Sequence, residues 1–222
     1  MKYIISNAMK KVILIITAIV LAATTSNLYA QSERLSNEDK QEMKERIEQK
    51  LVEFQDYLGM IASEKSSNEI KDKAISSTLD MFIGKGKPYQ SWDGYNDEPI
   101  YNSGVKMQTS SSSGRKRSQL MSSYLARLKG MIGGRYGDIV IEAADGVKVD
   151  DIQMTSDGRY ISTAYICQRF CGYSESGYKI YEDYTVKKIK IYIDKKDVVT
   201  PVGNKVMWII QLGDMSVIET WY

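Results

Sequence analysis

Tyr165, Tyr181, Asp183, Trp208 and Glu219 are the residues whose types could do chemistry as a set, because each falls on a predicted strand beside others of the group. A carboxylate beside tyrosine hydroxyls in a dry cavity holds its proton more tightly and can serve as a general base. The plainer reading is core aromatics with carboxylates turned to solvent. Asp93, Asn96, Asp97 and Glu98 offer the oxygen ligands that calcium takes, but not at EF-hand spacing, so a solvated turn is expected.

Ser113-x-x-Lys116 has the spacing of the penicillin-recognising serine enzymes, without their Ser-Asp-Asn and Lys-Thr-Gly elements, so a loop is expected there. The chain has no histidine. That excludes Ser-His-Asp and Cys-His catalysis and histidine metal ligands. Carboxylates, Lys, Tyr, Ser and Cys remain. Cys167 and Cys171 leave three alternatives: a disulfide, two free thiols or, least favoured, a metal pair. Four residues of straight strand span roughly 13 Å, whereas bridged Cα atoms lie about 4.4–6.8 Å apart. A bridge therefore needs the strand to fold back at Cys171-Gly172. No metal and no cofactor are expected.

The N-terminus has the layout of a secretory signal. Lys2, Lys10 and Lys11 precede an uncharged apolar run from Val12 to Ala23, and Leu28-Tyr29-Ala30 supplies a cleavage site after Ala30. Met1 and Met9 are alternative starts. The apolar run is shorter than the ~20 residues of a membrane span. The expectation is a signal peptide over 1–30 and a single domain over 31–222, exported to a bacterial periplasm or secreted, with no stable membrane insertion after cleavage. Removing residues 1–30 removes three lysines and no acid, leaving 27 basic against 28 acidic groups, a net −1. That balance gives no sign of a nucleic-acid partner.

Helices come first. Ser36 reads as an N-cap, and Met43, Ile47, Leu51, Phe54, Leu58 and Ile61 form one apolar helical face. Ser66-x-x-Glu69 reads as a capping box opening a second helix with Ile70, Ala74, Ile75, Leu79 and Phe82. Residues 84–104 read as loop, Val105–Thr109 as a short strand, Ser110–Arg117 as flexible and basic, and Leu120–Ile132 as a third helix. From Asp138 the pattern turns to strands: 139–141, then Val147 to Ile152, Tyr160–Phe170, Tyr178–Ile193, and a closing pair, Lys205–Leu212 and Met215–Tyr222, around Gly213-Asp214. The 178–193 strand changes apolar parity. Either a bulge near Lys187-Lys188 switches its faces, or Asp183 points to the core and a buried polar group needs a reason. Lys187, Lys188, Lys190, Lys195 and Lys196 read as charge on a solvated sheet face, and the sixteen tyrosines as strand residues.

Helices followed by a meander imply an α+β sheet covered on one side. The hairpin from Ser36 to Ile83, the third helix and the strands from Tyr160 to Tyr222, closing with Ile210-Gln211-Leu212-Gly213-Asp214-Met215-Ser216-Val217-Ile218-Glu219-Thr220, resemble exported bacterial domains of the nuclear-transport-factor-two-like (cystatin-like) superfamily. The resemblance implies a helical hairpin and third helix on a strongly curved antiparallel sheet, the cystatin-like cone, with a pocket between. Members include enzymes and binding domains, so the fold alone leaves function open. The leading expectation is a non-enzymatic accessory domain that binds a small molecule or a protein, with a homodimer as one form. The alternative is an isomerase or dehydratase using a buried carboxylate and tyrosines.

Overall fold

A computed structural model describes residues 34–93, 98–111, 113–200 and 203–222. The expected signal peptide and Asn96 and Asp97 of the acidic turn lie outside the described residues. The chain divides within its first helix into a unit ending at Glu42 and a unit from Met43 to Tyr222. The fold below is that of the second unit, apart from the cap of the first helix.

Helix α1 (Asn37–Ala62) follows its apolar spacing, and all six residues from Met43 to Ile61 are buried. Ser36 caps it reciprocally. Its Oγ accepts from the Asp39 N–H at 3.0 Å, and Asp39 Oδ2 accepts from the Ser36 N–H at 2.9 Å. The Ser36 hydroxyl also donates to Asp39 Oδ2 at 2.7 Å, and this bond, with that from the Ser36 N–H, favours the ionised form and holds the Asp39 carboxyl below its usual range.

Helix α2 (Asn68–Asp80) is capped one residue later than expected, by Ser67, whose Oγ accepts from the Ile70 N–H at 3.3 Å. Glu69 pairs instead with Lys73 at 2.8 Å on the surface. The buried face is also rotated: Lys71, Ala74 and Thr78 face inward, while Ile70 is exposed. Thr78 tolerates burial because its Oγ1 donates to the Ala74 carbonyl at 2.7 Å. Ser67→Ala is expected to cost about 1 kcal/mol, seen as a Tm lower by about 2–4 °C for a domain of this size. Ser66→Ala is expected to leave Tm unchanged in the same thermal melts.

Two stretches expected as loop are strands. β1 (Tyr89–Asp93) and β2 (Glu98–Asn102) form a separate antiparallel ribbon. Pro99 fits there because each strand of a two-stranded ribbon is an edge. β3 (Lys106–Ser110) pairs with β4 (Lys116–Leu120) as a hairpin whose tip holds the serine run. The polar residues of β4 are almost all exposed, so no apolar alternation marked it. Helix α3 (Met121–Lys129) follows directly.

The main sheet adds β5 (Asp138–Ala143), β6 (Lys148–Val149), β7 (Gln153–Met154), β8 (Tyr160–Tyr173), β9 (Lys179–Thr200) and β10 (Gly203–Trp221). The strand order is β4-β3-β10-β9-β8-β5, with β6 and β7 also on β8. β3 lies parallel to β10 at Met107 and Met215 while the other pairs are antiparallel, so the sheet is mixed rather than antiparallel. It is also neither closed nor strongly curled, in contrast to the strong curvature expected. β8 and β9 pair without a bulge from Tyr160–Ile193 to Gly172–Tyr181, so the bend that a bulge at Lys187-Lys188 would bring is absent.

β8 and β9 shift register only at Gly172–Tyr173, where Ile180 of β9 is the extra residue, and the other irregularities sit on β10. The expected closing pair of strands is one strand, shifted in register between Leu212 and Met215 and again between Val217 and Glu219. At Gly213 a side chain would meet the Tyr192 ring at 2.6 Å, and the Asp214 carboxylate accepts from the Lys106 N–H at 2.8 Å. Gly213-Asp214 therefore ties β10 to its neighbours instead of reversing the chain. Ile189, Ile191 and Ile193 on β9 and Ile210, Leu212 and Met215 on β10 form the buried sheet face. Phe54 of α1 meets Phe82 edge-on at 5.6 Å in the same core.

Candidate functional site

Because β9 keeps its parity, Asp183, Thr185 and Lys187 share the inward face with the three isoleucines, and all three are buried. The expectation that Lys187 lies on a solvated face is therefore corrected. Lys188 and Lys190 alternate with it and are exposed. An ammonium in the core needs partners. Lys187 Nζ donates to Gln168 Oε1 at 2.7 Å and lies 5.8 Å from the Tyr124 ring centroid. Gln168 in turn donates to Gln55 Oε1 of α1 at 2.8 Å. Burial draws the Lys187 ammonium down to about 8, against the opposing field of Asp183.

Beside this chain of amides lies a cavity of about 430 Å³, between the sheet, the β3–β4 hairpin and the segment that begins with α3. Its floor carries Lys187, Gln168, Thr185 and Asp183, and its walls carry Tyr124, Tyr136, Phe170 and Tyr181. Tyr181 donates its hydroxyl to Asp183 Oδ2 at 2.6 Å, and Thr185 Oγ1 lies 3.4 Å from Oδ1. Burial pushes the Asp183 carboxyl up, while Tyr181, Lys187 and Thr185 pull it back. Burial also raises the hydroxyls of Tyr124 and Tyr181, the latter further through its bond to Asp183.

Arg115, Arg117, Arg127 and Arg135 stand around the cavity and are exposed. None of them is paired with a carboxylate among the described residues, where the arginine ion pairs are those of Arg159 and Arg169. Arg135 stacks over Tyr136 at 5.2 Å. Cavity walls and rim thus carry five cationic side chains against one carboxylate. Gly172 shapes the wall, because a side chain there would meet the Tyr136 ring at 2.3 Å.

Of the five site residues expected from sequence, Tyr181 and Asp183 come together here. The other three do not line the cavity. Tyr165 faces the other side of the sheet, where its hydroxyl meets Asp150 Oδ2 at 3.1 Å. Trp208 packs edge-on against Tyr160 at 5.4 Å, and its carbonyl accepts from Arg46. Glu219 is exposed at a bulge of β10. Cys167 and Cys171 are both free. They lie on one uninterrupted strand, paired with Val186 and Glu182, so the fold-back that a disulfide needs is absent. Cys171 instead meets Glu182, whose carboxyl is held at about 2 by Lys179 and Arg169. Ser113 bonds Ser111 in the hairpin tip, and Lys116 donates to the Val217 carbonyl at 2.7 Å, so this pair forms no catalytic unit.

Lys187 and Gln168 are the functional candidates that sequence reasoning missed. Lys187 could have been found by extending the parity of Ile189, Ile191 and Ile193 back along an unbulged β9. The rim arginines carry no such signal, since they come from separate elements. Comparison with family models, curated proteins and solved structures gives no match.

Proposed function

We propose that this is a ligand-binding domain whose cavity takes a small organic anion with an apolar or aromatic body. The observation that carries this reading is the set of four arginines, with no carboxylate partner among the described residues, around a cavity with aromatic walls and a buried lysine in its floor. Arginine recognises carboxylate and phosphate through paired donors. The volume suits a small molecule. A helix-covered sheet face with a pocket beside it also supports the nuclear-transport-factor-two-like resemblance as a reading of the fold, with a sheet less curled than that superfamily's cone. Export to a periplasm or medium is part of the same proposal. No helix among the described residues is long and apolar enough to cross a membrane.

The test is a thermal-shift and calorimetric screen of aromatic and aliphatic carboxylates, each beside its neutral amide or alcohol. Carboxylates are expected to bind and raise Tm, and their neutral counterparts to bind much more weakly. Arg127→Ala with Arg135→Ala is expected to weaken binding by roughly tenfold or more, from lost charge-assisted bonds. Equal binding of neutral and anionic compounds would overturn the proposal.

A second reading, acid–base chemistry, is favoured by one contact: the Asp183 carboxyl meets the Tyr181 hydroxyl inside the cavity at 2.6 Å. Turnover of a bound compound that disappears in Asp183→Asn would establish it over simple binding.

A further inference from the structure

Resting on the cavity being an anion-binding site, we propose that Lys187 captures an anionic carbonyl compound there as a reversible imine. Lys187 is the only amine lining this cavity among the described residues. Its side chain is 3% exposed, yet it borders the open space. Its Nζ bonds a neutral amide oxygen and enters no ion pair with a carboxylate among the described residues. A lysine withdrawn from water and in contact with no carboxylate among the described residues is activated as a nucleophile by its burial, against the opposing field of Asp183. Removal from water supports this, since the ammonium titrates at about 8. A larger share of the side chain is then neutral near pH 8 than for a solvated lysine at about 10.4.

The ligand's carboxylate would meet Arg127 and Arg135 at the mouth, and its aromatic or aliphatic body would lie against Tyr136 and Phe170. Its carbonyl then points to the floor. The neutral Nζ attacks the carbonyl carbon, forming the C–N bond and opening the C=O bond. Loss of the oxygen as water forms C=N, and the two hydrogens of the amine depart in that water. No oxidant or reductant enters, and hydrolysis returns the free ligand and the free amine. Capture therefore adds a covalent hold to binding and implies no turnover.

The probe is 4-carboxybenzaldehyde with cyanoborohydride, which reduces the imine to a stable amine, followed by intact mass and peptide mapping of the full chain. The expected result near pH 8 is one adduct, on Lys187, formed about tenfold or more faster than on the exposed Lys188 and Lys190. Benzaldehyde, which lacks the anion, is expected to label Lys187 about tenfold more slowly. Lys187→Arg removes the adduct, and the wild-type map decides the question even where that variant folds poorly. Labelling spread over exposed lysines, with Lys187 unmodified, overturns the inference. The binding of 4-(hydroxymethyl)benzoate, which has the anion but no carbonyl, is measured alongside. Binding of this acid without a Lys187 adduct removes imine capture alone, and failure of both removes the anion-binding reading as well.

Discussion

Phe54→Ala is expected to lower the free energy of unfolding by about 3–5 kcal/mol, the range for deleting a buried aromatic ring from a packed core. Phe54 is fully buried in the middle of α1 and meets Phe82 edge-on at 5.6 Å. Phe82 is itself fully buried and its backbone bridges to Leu212 of β10. The ring therefore joins helix α1 to the segment that anchors α2 on the sheet. Neighbours on a helix and on a long-stranded sheet cannot close over the void, so both the transfer term and the cavity term are lost. A loss of this size is a large part of the ~5–15 kcal/mol that holds a typical domain folded. Urea unfolding of wild type and variant, read by far-UV circular dichroism, measures it through the midpoint at unchanged slope. Val52→Ala, at an exposed position of the same helix, is the control and is expected to change stability by no more than about 0.5 kcal/mol. A loss below about 1 kcal/mol for Phe54→Ala would mean that the core relaxes around the missing ring and that α1 is not held by this contact.

What the sequence made readable here is whatever repeats. Met43 to Ile61 recur at helical spacing, and every one of them is buried. β8 alternates from Tyr160 to Gln168, and the inward members are the buried ones. Where polar residues were held by partners distant in the chain, periodicity failed. β4 is a strand because its backbone pairs with β3, although its side chains are almost all exposed. Gly213-Asp214 resembles a turn, yet the Asp214 carboxylate bonds the Lys106 backbone, more than a hundred residues away. The site divides in the same way. Asp183 was legible as one of two parity choices, and the unbulged register of β8 on β9 selects the inward one. Lys187 follows from that choice, but a lysine in a run with Lys188 and Lys190 suggests solvent until the Gln168 amide is seen to hold it. The rim arginines come from the β3–β4 hairpin, from α3 and from the segment after it, and only the tertiary fold brings them together.

The stability of the protein relative to Lys187→Met is expected to rise as pH increases from about 8 toward 10. Burial draws the Lys187 ammonium down to about 8 in the folded chain, while in the unfolded chain it titrates near 10.5. Between these values the unfolded state binds more protons than the folded one, so unfolding becomes less favourable as pH rises. Below about 8 both states are protonated and the full cost of burying the charge is present. Above 10.5 both are neutral and that cost is gone. The span corresponds to about 3 kcal/mol at 1.36 kcal/mol per pH unit of separation. Other groups at the cavity act elsewhere on the pH axis or in the opposite sense. Burial raises the Asp183 carboxyl, so its contribution is present below the ordinary value of 3.8 and is lost as pH rises through the folded value. Tyr124 and Tyr181 are also held up, so above about 10 the unfolded chain loses their protons first and stability falls again. Elsewhere in the fold burial raises the Cys167 and Cys171 thiols and lowers the Lys50 ammonium, so the wild-type curve alone sums several groups. The difference between wild type and Lys187→Met isolates the lysine, because the other groups are common to both. At pH 7 the variant loses the donor to Gln168 Oε1, at a cost of about 1–3 kcal/mol, which offsets much of its gain from not burying a charge. The absolute difference at one pH therefore decides little, and the slope decides the question. Urea midpoints taken at intervals from pH 7 to pH 10 give it directly. A wild-type minus variant difference that stays flat across that range would mean that water reaches Lys187 in the folded protein, and with that the activated amine on which imine capture depends would be lost.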